Sequence, residues 1–156
     1  MKRFIKCLFI VMMLFGCAKE AEKVINLNLD EYSKAIQEEY YDTFLTEMNE
    51  SDFYTMFGLD PSQALQIEYR EAFLDVKADV LVMIEVSDET LVEGVRTVLE
   101  KRLLEIQDEF ETYIPEVYEI ARKGEIVVEG KYVFMIVNEN VDDIVADIKS
   151  QFIVEE

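Results

Sequence analysis

The side chains able to do chemistry in this chain are two cysteines, eight tyrosines and 34 carboxylates, with no histidine at all. Without an imidazole a single chain cannot assemble a Ser-His-Asp or Cys-His pair, nor a histidine-ligated metal. The glycines are Gly16, Gly58, Gly94, Gly124 and Gly130, and no two sit close enough for a phosphate-cradling loop or a dinucleotide fingerprint. Ser33, Ser51, Ser62, Ser87 and Ser150 lack the Gly-x-Ser-x-Gly context of a nucleophile elbow. Carboxylates remain, and by residue type they admit a two-carboxylate glycosidase or an acidic cation site. The densest group is Glu139, Asp142, Asp143 and Asp147. It lacks the alternating acids, central glycine and final glutamate of a calcium-binding loop. Asp142 and Asp143 are explained as first-turn acids at the positive end of a helix. No catalytic residue, metal or cofactor is assigned, and the chain is expected not to be an enzyme.

The cysteines read differently from one another. Lys2, Arg3 and Lys6 precede an unbroken apolar run from Cys7 to Phe15, which ends at Gly16-Cys17. A basic start, a short apolar stretch and a small residue at the cut form a secretory signal. As a helix the run would reach only about 14 Å, roughly half a hydrocarbon core. Leu14-Phe15-Gly16-Cys17 resembles the lipobox of bacterial lipoproteins, in which the cysteine is acylated and the peptide is cut just before it. The expectation is therefore a signal peptide over 1–16, a lipid on Cys17, and a tether over 17–27. Two acyl chains give stable attachment where one gives marginal binding. Cys7 lies inside the apolar run and is expected only to be apolar. With Cys17 acylated, neither a disulfide nor a catalytic thiol is left.

Removal of the signal leaves 140 residues carrying 12 basic side chains against 34 acidic ones, a formal charge of −22. That balance excludes nucleic acid, whose phosphates require basic partners, and argues against lying flat on anionic lipid. High charge can signal disorder, but the periodic order of the apolar residues, 51% of the full chain, indicates a packed core. Residues 28–156 are long enough for one domain.

The pattern supplies its elements. Asn28 with Glu31 forms a capping box, and Tyr32, Ile36, Tyr40, Phe44 and Met48 recur every four residues, which predicts a helix over Leu29–Met48. A short helical turn over Asp52–Phe57 is expected to stop at Gly58, with a turn at Leu59-Asp60-Pro61-Ser62. Leu65, Ile67 and Tyr69 alternate with Gln66, Glu68 and Arg70, predicting a half-buried strand, and Val80–Ile84 is continuously apolar, as a central strand should be. Ser87-Asp88-Glu89 caps a long helix with the stripe Val92, Val95, Leu99, Leu103, Ile106 and Phe110. Pro115 opens a further short helix that closes at Lys123-Gly124. Ile126–Val128 and Tyr132–Val137 flank Glu129-Gly130-Lys131 as a hairpin. Asn138 or Asn140 caps a last helix with Val141, Ile144, Val145, Ile148 and Phe152 on one face. The order α-β-β-α-α-β-β-α predicts an α+β fold with a four-stranded, mainly antiparallel sheet packed with helices.

Met56-Phe57-Gly58-Leu59-Asp60, the strand Val80 to Val86, Phe110-x-x-Tyr113-x-Pro115-Glu116 and Gly130-Lys131-Tyr132-Val133 together carry a resemblance. Across most of the mature chain they resemble small lipoproteins of Gram-positive, clostridia-like bacteria that carry a domain of unknown function. The resemblance implies the anchor and the α+β fold, and no activity. The leading expectation is a membrane-anchored extracytoplasmic lipoprotein, lipid-held at the outer face of the cell membrane, acting as a non-catalytic module for a protein, peptide or envelope ligand. The alternatives are a solute-capturing lipoprotein serving a transporter and a hydrolase using carboxylates alone. Tyr32 and Tyr40 are expected to pack, whereas Tyr54, Tyr113 and Tyr118 fall near helix ends. Tyr113 and Pro115, in a rigid and partly apolar connection, are the residues expected to contact a partner. The competing role for Tyr113 is to plug the end of the long helix beside Phe110.

Overall fold

The computed structural model describes residues 25–73 and 76–153. The expected signal peptide, Cys7, Cys17 and the first part of the tether lie outside the described residues. Five strands form one antiparallel sheet: β1 (Leu45–Glu47), β2 (Ala64–Ala72), β3 (Val80–Val86), β4 (Glu125–Glu129) and β5 (Tyr132–Val137), in the spatial order β1-β2-β3-β5-β4. The sequence predicts four strands, and β1 is the one it misses. The α+β class holds.

β3 and β5 occupy the middle of the sheet, which accounts for their unbroken apolar sequences. Their side chains alternate between two separate cores. Val80, Val82, Ile84, Val86, Val133, Met135 and Val137 join one, packed under α3 (Val92–Glu111) and α4 (Pro115–Ala121). Leu81, Met83, Phe134 and Ile136 join the other, under α1 (Leu29–Tyr40) and α5 (Val141–Gln151). A further helix, α2 (Glu50–Phe57), sets Phe53 against Tyr69 on the first face. Helices thus cover both faces of the sheet.

The long-helix stripe buries as its spacing predicts, from Val92 through Phe110. Asp88 accepts the amide of Thr90 at 2.9 Å and caps the short 3-10 turn that leads into α3. Gly58 ends α2 at φ 64°, and Gly130 turns the β4–β5 hairpin at φ 57°. Both values lie in the left-handed region where glycine carries no Cβ penalty.

The first helix is shorter than its sequence period suggests. It stops at Tyr40, where a helix to Met48 was expected. At about 100° per residue, each four-residue step drifts about 40° around the helix, so a five-member series cannot stay on one face. The buried face is instead Leu29, Ser33 and Ile36. Tyr41 adopts an extended backbone, is buried, and donates its hydroxyl to Val80 O at 3.1 Å. The chain then pairs Leu45 with Ala72 and Glu47 with Arg70 as β1. Burial of Tyr41 and Leu45, together with these ladder bonds, outweighs continuation of the helix.

The polar half of β2 faces a helix and not water. Arg70 is buried beneath α1, with Nη2 2.8 Å from Glu68 and 3.3 Å from Glu47, and its Nε donates to Ser33 Oγ at 3.0 Å. Ser33 Oγ in turn lies 3.1 Å from Glu68 Oε2. Gln66 accepts the Leu29 amide at 3.0 Å and donates to Leu27 O at 2.9 Å. A buried guanidinium is tolerable only with such complete pairing. Leu65, expected on the buried side, is instead exposed beside a register irregularity between Ala64 and Gln66.

Candidate functional site

The two ends of the sheet differ in what they hold. At the first, Glu85 pairs with Tyr132 beside the β4–β5 turn. The first described residues are held here: the Tyr132 hydroxyl donates to Ile25 O at 3.2 Å and accepts the Leu27 amide at 3.1 Å. Five residues back along β3, Val80 pairs with Val137 at the second end, about 17 Å away at the usual strand rise.

The second end is built from the β2–β3 connection, the residues after α1 and β5, and the C-terminal part of α3. Asp79 and Asn138 are both buried, and Asn138 Nδ2 donates to Asp79 Oδ1 at 3.0 Å. Asn138 Oδ1 accepts the Asn140 amide at 2.8 Å, and Asn140 Nδ2 donates to Tyr40 O at 3.2 Å, so one amide links strand, helix and loop. Burial lifts the Asp79 carboxyl above its ordinary pKa, against the opposing pull of Lys77 and the Asn138 amide. Beside it lies an open cleft of about 190 Å³ lined by Glu71, Lys77, Asp79, Arg102, Glu109 and Phe110. Arg102 sits 3.7 Å from Glu71 and 3.8 Å from Glu105, and its Nε is buried without a hydrogen-bond partner among the described residues. Ligand sites for small molecules usually run to about 300–1,000 Å³, so this cleft is small for one.

Apolar side chains crowd the same end. Leu45 pairs with Ala72, and the next positions outward are Phe44 and Phe73. These rings are 77% and 78% exposed, and Val76 close by is 49% exposed. The Asp42–Lys77 ion pair, at 3.6 Å, borders them. Two exposed aromatics flanking the last pair of the β1–β2 ladder make this end a candidate contact surface.

Tyr113 follows the C-terminus of α3 and is 66% exposed. Phe110, not Tyr113, fills the helix end, and Tyr113 is left in solvent. Pro115 is exposed at the first turn of α4. Tyr118 packs partly against the core, and Tyr54 lies edge-on to Phe53 at 5.9 Å. Tyr32 and Tyr40 both donate to Asp147, at 2.6 and 3.3 Å, and so fasten α1 to α5. Asp147 is thereby engaged, while Asp142 and Asp143 occupy the first turn of α5. No group of three or more acids among the described residues is arranged to hold a metal.

The sequence reading misses Phe44, Phe73 and Val76. Phe44 fits the four-residue spacing of the expected first helix, and Phe73 stands in a charged connection with no period to flag it. A lone aromatic between Glu71 and Lys77 was the available signal.

A family model described as a domain of unknown function, DUF4358, matches residues 38–138. The chain belongs to the DUF4358 family. The match runs from the end of α1 through β5 and takes in Phe44, Phe73, Asp79, Arg102, Tyr113 and Asn138, so most of the second end of the sheet, Asn140 excepted, lies within the DUF4358 domain. No curated protein and no solved structure matches the chain. Among the described residues no helix is long and apolar enough to cross a membrane.

Proposed function

We propose that this chain is an extracytoplasmic lipoprotein, anchored through Cys17, whose DUF4358 domain binds a partner without turning it over. The observation that carries the reading is the separation of the two ends. The first described residues, Ile25 and Leu27, are held by Tyr132 at one end, while Phe44 and Phe73 flank the last β1–β2 pair at the other, and Tyr113 stands exposed after the C-terminus of α3. A domain held at the first end presents the second to the surroundings, where an exposed apolar set rimmed by charge suits recognition. The partner is a protein, peptide or envelope component. A cleft of about 190 Å³ gives little support to solute capture, and its buried acid is committed to Asn138, which gives little support to hydrolysis.

Fatty-acid-analogue labelling of cells tests the anchor. Label is expected on the parent chain and on Cys7→Ala but not on Cys17→Ala; label persisting on Cys17→Ala overturns it. Recovery of partners from native membranes tests the surface. Tyr113→Ala at unchanged stability should lose partner recovery, and normal recovery at normal stability rejects Tyr113 as a contact.

A further inference from the structure

We propose that the outer edge of β4 is a second binding surface, which takes up an extended basic segment of a partner protein as a sixth strand. Among the described residues, β4 ends the sheet and pairs with β5 alone. Glu129 and Tyr132 close a two-residue turn, which makes them a hydrogen-bonded pair. Such pairs alternate along an antiparallel ladder, so Val127 and Glu125 also face β5. The N–H and C=O groups of Ile126 and Val128 therefore point outward, away from the sheet.

Proteins usually blunt an open edge with a short strand, a proline, a lysine or a bulge. β1, the other edge, is blunted by being three residues long. β4 has five residues, with no proline, no lysine and no register shift against β5. Its charged residues are Glu125 and Glu129, one at each end. These choose the occupant. A second copy of the chain, paired antiparallel over the whole strand about Val127, would set Glu125 against Glu129 twice, and like charges directly opposite are destabilising; the lysines that shifted registers would use, Lys123 and Lys131, lie in turns outside β4. The overall charge of −19 adds to that repulsion. A strand with Lys or Arg at both flanks and β-branched residues between them turns both clashes into attractions, while its backbone satisfies the outward groups.

The experiment is a titration of the isotope-labelled full chain, in detergent, with the capped peptide Thr-Lys-Val-Thr-Val-Lys-Thr, followed by NMR. The Ile126 and Val128 amides should shift saturably and exchange more slowly. The same peptide with Glu in place of both Lys should bind about tenfold more weakly or worse, from two reversed cross-strand pairs. Glu125→Lys with Glu129→Lys should reverse that preference. Ile126→Pro removes an outward donor but no ladder bond, and should abolish binding of the basic peptide. If that variant unfolds, the charge reversal decides alone. Unmoved Ile126 and Val128 amides at millimolar peptide, equal binding of the two peptides, or the same shifts from protein concentration alone overturn the proposal. These readouts are independent of Phe73 and Tyr113, so this surface and the opposite end stand or fall separately.

Discussion

Met83 and Ile84 are consecutive residues of β3, both fully buried, that serve different cores. Ile84 lies opposite Val133 under α3 and α4, and Met83 lies opposite Phe134 under α1 and α5. Ile84→Ala deletes three carbons, each worth about 0.8 kcal/mol in transfer free energy. The cavity left behind adds to this, for a total of about 2–5 kcal/mol, and Met83→Ala falls in the same range. Because the side chains enter different cores, any coupling between their losses must pass through the strand backbone they share and should be small. Ile84→Val, at about 0.5–1.5 kcal/mol, should cost the same in the parent and in Met83→Ala, to within about 0.5 kcal/mol. Urea unfolding followed by circular dichroism gives each value, provided the slope is unchanged between variants. Two outcomes refute the layered packing: a midpoint unmoved by either alanine substitution, or a coupling above about 1 kcal/mol between the two sites.

Other substitutions probe the second end of the sheet and its support. A Cβ on Gly124 would sit 2.6 Å from Leu103 Cδ1, 3.0 Å from Val137 Cγ2 and 3.1 Å from Ala121 O. Gly124→Ala should therefore lower stability by about 1–3 kcal/mol, measurable as a lower urea midpoint. Burial raises the Asp79 pKa, so the folded state binds the more proton, and this residue's contribution to stability falls as pH rises from the ordinary carboxylate range through the raised value. Asp79→Asn keeps an acceptor for Asn138 without the charge. It should be more stable than the parent at neutral pH, and unfolding curves across pH should show that gain vanish in acid.

Much of the fold is legible because period and burial coincide. The α3 stripe, the β4–β5 hairpin and the continuous apolar run of β3 each have one dominant reading, and the structure keeps them. β1 was hidden because Tyr41, Phe44 and Leu45 fit a helical spacing as well as a strand, and only the partner strand, Arg70 to Ala72, decides between them. The role of Arg70 was hidden for a related reason. Alternation reveals which residues share a face, but not whether that face meets water or a helix carrying Ser33. Tyr113 could be singled out because it stands beside a proline in a helix connection. Phe44 and Phe73 become a candidate site only once the register of β1 on β2, ending at Leu45 and Ala72, places both at the same end of the ladder.

The central claim is that an anchored domain presents the Phe44–Phe73 end to a partner. It is tested most directly by photo-crosslinking in cells, with a photoreactive residue placed in the full chain at position 73 or at position 131 beside the hairpin turn. The account predicts a discrete protein adduct from position 73, and more lipid adducts from position 131 than from position 73. Lipid adducts at position 73 that equal or exceed those at position 131, or the absence of any protein adduct there, would contradict it.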